Sequence, residues 1–99
     1  ASDVYKRQAQ VSRRKQVLCV THLPQLAAMA DTHFSVEKGE RDGRTYTRVV
    51  LLDWEQRKAE LARITGGSRV TEALLASAGE LLDQAERYRS ELGMRNHAE

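Results

Sequence analysis

The stretch Gln16-Val17-Leu18-Cys19-Val20-Thr21-His22-Leu23-Pro24-Gln25 opens with a short, almost wholly apolar run rich in β-branched residues and closes on a polar group. Such a run, without the alternation of a half-exposed strand, predicts a strand covered on both faces. That is the pattern of a central strand in a parallel sheet flanked by helices. A chain of 99 residues has little with which to cover it. Pro24 stands where a first helical turn begins, because its fixed φ suits that position and its missing N–H would have no partner there. The following Gln25-Leu26-Ala27-Ala28-Met29-Ala30 is a strong helix former, giving a helix of about two turns.

Upstream of this stretch, residues 11–16 are polar and basic, and Ala1 to Gln8 carry neither an initiator Met nor an apolar pattern that continues into residue 9 and beyond. Residues 1–8 resemble a translated adapter remnant and are set outside the fold as non-native. Downstream, the period changes to two. Phe34 and Val36 share one face, with His33, Ser35 and Glu37 on the other, which predicts a half-exposed strand. Gly39-Glu40-Arg41-Asp42-Gly43 supplies turn chemistry. Thr45, Thr47, Val49 and Leu51 then alternate with Tyr46, Arg48, Val50 and Leu52, completing a β-hairpin. Residues 54–65 predict a helix with Trp54, Leu61 and Ile64 near one face, stopped by Gly66-Gly67. Thr71 caps a longer helix whose apolar stripe runs through Val70, Leu74, Leu75, Ala78, Leu81, Leu82, Ala85 and Tyr88. The polar tail, residues 93–99, is expected to fray into disorder.

Composition bounds the function. Sixteen basic residues against fourteen acidic ones leave a net charge of +2 spread along the chain, too weak a bias to name nucleic acid or membrane as partner. The single cysteine, Cys19, cannot form an internal disulfide, and no apolar run reaches the roughly 18 residues that would suggest a membrane span. These features fit a reducing, cytoplasmic setting without membrane attachment.

The candidate functional residue is His22. Open parallel sheets bind ligands beyond the carboxyl ends of their strands, so a histidine after residues 17–21 is aimed at a ligand crevice. Its imidazole can donate to a phosphate oxygen, and Pro24 restricts the backbone nearby. A hydrogen bond from His22 to a loop carbonyl fits the spacing equally well. Other candidates are weaker. Cys19 and His22 have metal-ligand spacing, but an odd separation on a strand sends them to opposite faces. His33 and His97 read as an exposed strand residue and a tail residue without partners. Arg13, Arg14 and Lys15 read as a solvated loop, and Trp54 and Tyr46 as packing residues.

The segment from Gln16 to Gln25 resembles the switch-loop strand of the RecN family of DNA repair ATPases, relatives of the SMC proteins within the ABC superfamily. The later order is also similar: Val36-Glu37-Lys38, Gly43-Arg44-Thr45-Tyr46-Thr47, Glu60-Leu61-Ala62-Arg63-Ile64, Gly66-Gly67 and Val70-Thr71. The hairpin followed by Glu-Leu-Ala-Arg and Gly-Gly is the most particular part of the likeness, which spans residues 16–82. It implies an α/β fold, the C-terminal portion of a P-loop ATPase head over residues 9–92, built as strand, short helix, β-hairpin and two helices. It also implies that His22 is the switch histidine, both catalytic and in contact with the nucleotide. ATP and Mg²⁺ then belong to the complete parent, with the remainder of the head, a second head and DNA as partners. No Gly-x-x-x-x-Gly-Lys-Ser/Thr loop is present, and the resemblance puts that loop, the signature and the Walker B acids before Ala9. The 99 residues alone are therefore expected to be inactive. The alternative is a stand-alone α+β module that docks a protein partner through the hairpin or the long helix.

Overall fold

The computed structural model describes the backbone of residues 2–98 and the side chains of residues 4–93. In chain order the elements are α1 (Ser2–Ser12), α2 (Pro24–Ala28), β1 (Phe34–Arg41), β2 (Arg44–Leu51), α3 (Trp54–Gly66) and α4 (Glu72–Ala98). The fold is mixed α/β: an antiparallel hairpin beside a helical layer made by α2, α3 and α4.

The helical layer holds the core. Ala27 and Ala28 of α2 pack with Leu61 and Ala62 of α3 and with Ala78, Leu82 and Ala85 of α4. Alanines on α2 let this five-residue helix approach its neighbours closely, and Leu61 and Leu82 supply the large side chains, both wholly buried. The stripe expected on the long helix matches this packing from Leu74 onward, with Leu74, Leu75 and Leu81 completing it from the margin, whereas Val70 lies before the helix and is exposed. Thr71 caps α4 as expected, its hydroxyl accepting from the Leu74 N–H at 3.2 Å. The start of α3 carries a capping box the sequence reading did not single out. The Asp53 carboxylate accepts from the Gln56 N–H at 2.8 Å, and the Gln56 side chain accepts from the Asp53 N–H at 3.0 Å. Gly67, with φ of 68°, ends α3 and returns its N–H to the Arg63 carbonyl at 2.8 Å.

The hairpin turn is tighter than expected. Only Asp42 and Gly43 form it, with φ of 53° and 75°, the backbone that suits the right-handed twist of the flanking strands. Gly39 therefore belongs to β1, opposite Tyr46, and the Tyr46 ring lies where a side chain at position 39 would stand. Pairing sets Phe34 opposite Leu51 and Val36 opposite Val49, so these four side chains share one face. That apolar face is exposed, from 51% at Phe34 to 64% at Val36. The other face, carrying Ser35, Glu37, Arg48 and Val50, looks across an open cleft at Gln56, Ala59, Glu60 and Arg63 of α3.

Residues 17–21 correct the first expectation. They form no strand and lie exposed, with Leu18 at 90% and Val20 at 97%. An apolar strand needs backbone partners along its edges and layers over its faces. The only sheet among the described residues is the hairpin, whose strands pair with each other.

At the chain's start, α1 is one continuous helix across residues 2–12, although the sequence reading set residues 1–8 outside the fold. It reaches α4 through Lys6, whose ammonium sits 5.4 Å from the Tyr88 ring centroid, and through Gln10, which donates to the Tyr88 hydroxyl at 3.2 Å. At the other end α4 runs to Ala98, whereas the tail was expected to fray from Gly93. The side chains of residues 94–99, His97 among them, lie outside those described.

The contrast between the small core and the exposed hairpin face is measurable. Leu82→Ala should lower the unfolding free energy by about 3 kcal/mol, the usual cost of emptying a closed apolar site. Val49→Lys should change it by less than about 0.5 kcal/mol while raising the concentration at which the chain stays monodisperse. Urea titration and light scattering read the two effects, and equal destabilisation by both variants would contradict this account of the core.

Candidate functional site

His22 lies between the irregular segment of residues 16–21 and α2. The Thr21 hydroxyl accepts from the Leu23 N–H at 2.9 Å, closing a local turn with His22 at its centre. Pro24 follows as the first residue of α2, and the Ala27 N–H donates to the Leu23 carbonyl at 3.0 Å, tying that turn into the helix. His22 itself is exposed, and its imidazole has no hydrogen-bond partner among the described residues. The bond to a loop carbonyl left open by the spacing is thus not made here. The backbone around His22 is bonded, while its side chain is free to meet a ligand or a further protein surface.

What fixes the helix behind His22 is a pair of arginines. Arg57 of α3 is buried, and its guanidinium donates to the Ala30 carbonyl at 2.9 Å, with longer bonds to Ala28 at 3.4 Å and Ala27 at 3.5 Å. Arg89 of α4 donates to the Ala28 carbonyl at 3.1 Å and pairs with Asp31, 3.4 Å away. The C-terminal carbonyls of a helix have no partners within it, and cations there are favoured by the helix dipole. Burial first, and the neighbouring Arg89 second, hold the Arg57 pKa below its ordinary value, opposed by Asp31 and Glu86. The sequence analysis did not single out Arg57. Its only signal was a position one helical turn before Leu61, on the side of α3 that becomes buried.

His33 also departs from expectation. It was read as an exposed strand residue, but it is half-buried beside α3, with Nδ1 enclosed and unpartnered. Its carbonyl accepts from the Leu52 N–H at 2.9 Å, extending the hairpin ladder by one bond. Burial, and then the charge of Arg57, lower its pKa from 6.5, with Glu60 opposing. Glu60 in turn is held below the usual carboxylate range chiefly by its hydrogen bond from Arg63. Across the cleft Arg48 donates through Nε to Glu37 at 3.1 Å. Both ion pairs are internally satisfied, so the cleft offers little unspent charge to a ligand.

Cys19, three residues before His22, is exposed on the same irregular segment. Arg13, Arg14 and Lys15 lie exposed in the turn after α1, as the sequence reading had them. Gly39 and Gly43 are spent on the hairpin, so the glycine-containing stretch from 39 to 43 is strand and turn rather than a phosphate-cradling loop. Among the described residues no helix is long and apolar enough to cross a membrane.

The lowered pKa of His33 gives a pH dependence with a definite sign. The unfolded chain takes up this proton near pH 6.5, before the folded one does. Stability is therefore flat above that pH, falls as pH drops through the window between 6.5 and the lower folded value, and levels beneath it. Urea midpoints measured from pH 7.5 down to about 5, still above the usual carboxylate range, should fall for the wild type and flatten in His33→Gln. An unchanged slope in that variant would remove His33 as the cause.

No family model matches the chain. Curated relatives do. The DNA repair protein RecN of Bacillus subtilis is 44% identical over 90 residues, covering 91% of this chain and 16% of that protein. RecN of Haemophilus influenzae is 49% identical over 83 residues, covering 84% of the chain and 15% of that protein. RecN of Vibrio cholerae is 49% identical over 82 residues, with shares of 83% and 15%. The chain thus spans about a sixth of the length of the relatives it matches. With its hairpin and following helices in the order that the family resemblance implied, the chain belongs with the RecN-like proteins, as a segment like the C-terminal part of their head.

Proposed function

We propose that this chain is part of the ATPase head of a DNA repair protein, and that His22 is the switch histidine of its ATP site. The observation that carries the reading is the exposed apolar run Val17, Leu18 and Val20 leading into an exposed, unpartnered imidazole. Such a run is stabilised when strands on either side take up its backbone groups and helices cover its faces. Paired in that way it presents His22 at a strand's carboxyl end, where open sheets bind nucleotides. The relatives named DNA repair protein RecN, at 44% and 49% identity, supply the biological setting.

His22 is the one donor that this reading assigns to the chain, and among the described residues no group of three or more His, Cys, Asp and Glu could hold a metal ion. Within the reading, the rest of the head binds nucleotide and Mg²⁺, and His22 adds one hydrogen bond to the terminal phosphate. Phosphoryl transfer depends on positioning and electrostatic stabilisation, so that donor acts on turnover and does nothing alone. A complete protein of this kind works in the cytoplasm, pairs head to head and acts on DNA.

A second reading has one observation in its favour. The exposed hairpin face of Phe34, Val36, Val49 and Leu51 would also serve a module that docks a protein partner. That reading assigns no role to His22, which separates the two.

In the complete protein, His22→Ala should lower single-turnover ATP hydrolysis by about two orders of magnitude while leaving nucleotide affinity within a few-fold, the pattern of a donor used in the transition state. Unchanged hydrolysis would reduce His22 to a loop residue and favour the docking module.

A further inference from the structure

We infer that Arg57 is a positioning residue for His22: from α3 it fixes the C-terminal end of α2, and α2 fixes the turn that carries the imidazole. The inference rests on the switch reading of His22 and names a residue that the reading does not require.

Four observations connect the two residues. First, α2 has five residues, too few to persist through its own ladder, since isolated helices below about 12 residues are marginal in water. Second, the turn around His22 is continuous with that helix through the Leu23 N–H to Thr21 hydroxyl bond and the Ala27 N–H to Leu23 carbonyl bond. Third, the far end of α2 is held by side chains from elsewhere in the fold. Arg57 reaches the carbonyls of Ala27, Ala28 and Ala30, and Arg89 reaches that of Ala28. Fourth, Arg57 is 7% exposed, so its planar fork is confined by packing and cannot follow the helix if it shifts. The surfaces of Ala27 and Ala28 are methyl-sized, and an alanine face can slide over its neighbours in a way that directional bonds to three carbonyls forbid. The packing therefore sets how close α2 lies, and the guanidinium sets where along the layer it stops.

A residue that only supports the fold would weaken every element that rests on α3. A positioning residue acts on α2 and, through it, on His22 alone. Arg57→Lys separates the two, because lysine keeps the charge but its ammonium ends one bond short of the Nη2 that reaches all three carbonyls, on a flexible stem with no planar group to hold it in place. In the complete protein, amide exchange at Ala27 and Met29, whose N–H groups close the α2 ladder, should quicken by about tenfold or more in this variant. Leu61 and Leu82 should keep their protection. Single-turnover ATP hydrolysis should fall about tenfold with nucleotide affinity within about twofold, and in a His22→Ala background the same substitution should cost nothing further. If the Arg57→Lys protein does not fold, Arg89→Lys, which loosens only the Ala28 carbonyl and the Asp31 pair, should give the same pattern at smaller amplitude.

Unchanged exchange at Ala27 and Met29 overturns the inference, as does a loss of turnover that persists undiminished without His22. Loss of protection across α3 and α4 along with α2 overturns it too, by making Arg57 a general support. A His22→Ala protein with full turnover overturns the switch reading and this inference together, whereas a slow His22→Ala protein beside a fast Arg57→Lys protein overturns this inference alone.

Discussion

The fold turns on one buried charge placed against one short helix. Taking a guanidinium out of water costs several kcal/mol, and only well-directed hydrogen bonds offset that cost. At Arg57 the offset comes chiefly from the Ala28 and Ala30 carbonyls, which the end of α2 leaves without backbone partners, with a longer bond to Ala27, whose carbonyl also accepts from the Ala30 N–H. Neither hydrophobic contact nor propensity would stop α2 at this spot, because its buried surface is two alanines. Arg89 reinforces the arrangement from α4 and brings Asp31 as a partial counter-charge. One Arg57 nitrogen, Nε, remains buried without a partner, so the solution is incomplete. Its lowered pKa has the same origin, since the low-dielectric surroundings that strengthen the carbonyl bonds also penalise the charge.

From this anchor the chain runs in two directions. Toward the N-terminus it passes through α2 and Pro24 to the turn at Thr21 and Leu23, so the backbone on either side of His22 is bonded while the imidazole is left open. Toward the C-terminus it passes through Asp31 to His33, which Arg57 influences directly through its charge. A neutral His33 suits that neighbour better than an imidazolium. Arg57 thereby links the helix that presents one histidine to the protonation of another, and His33 belongs to the support of the site rather than to its surface.

Much of this was legible from residue patterns. The Asp42-Gly43 step, the period-two alternation around it, Thr71 as a cap and the stripe on α4 all depend on local chemistry, and all appear in the fold. What escaped depends on contacts remote in sequence. Arg57 gives no local sign of burial, because an arginine in a helix of mixed charge is ordinarily solvated. The carbonyls it meets lie about thirty residues upstream. The periodicity showed which hairpin side chains share a face, but not which face meets solvent. Residues 17–21 carry the opposite lesson. Their composition is that of a buried strand, and they remain exposed and without regular structure because strand formation belongs to the partners as much as to the segment. His22 was identified by its place after that run, and the place survives although the strand does not form.

Apolar surface is divided unevenly between the two layers. Among the described residues only Leu61 and Leu82 are large side chains wholly removed from water, while Phe34, Val36, Val49 and Leu51 pair across the hairpin on an exposed face. Cross-strand pairing contributes some stabilisation at such positions, but an apolar face gains most when a second layer lies over it. Leu18 and Val20 pose the same problem in a segment that also has free backbone groups. A protein partner could dock on the hairpin and leave the backbone of residues 17–21 unsatisfied. A surrounding sheet with helices on its faces answers both needs with one kind of structure. Arg57 and Arg89 hold the end of α2, and through it the turn that carries His22, beside residues 17–21.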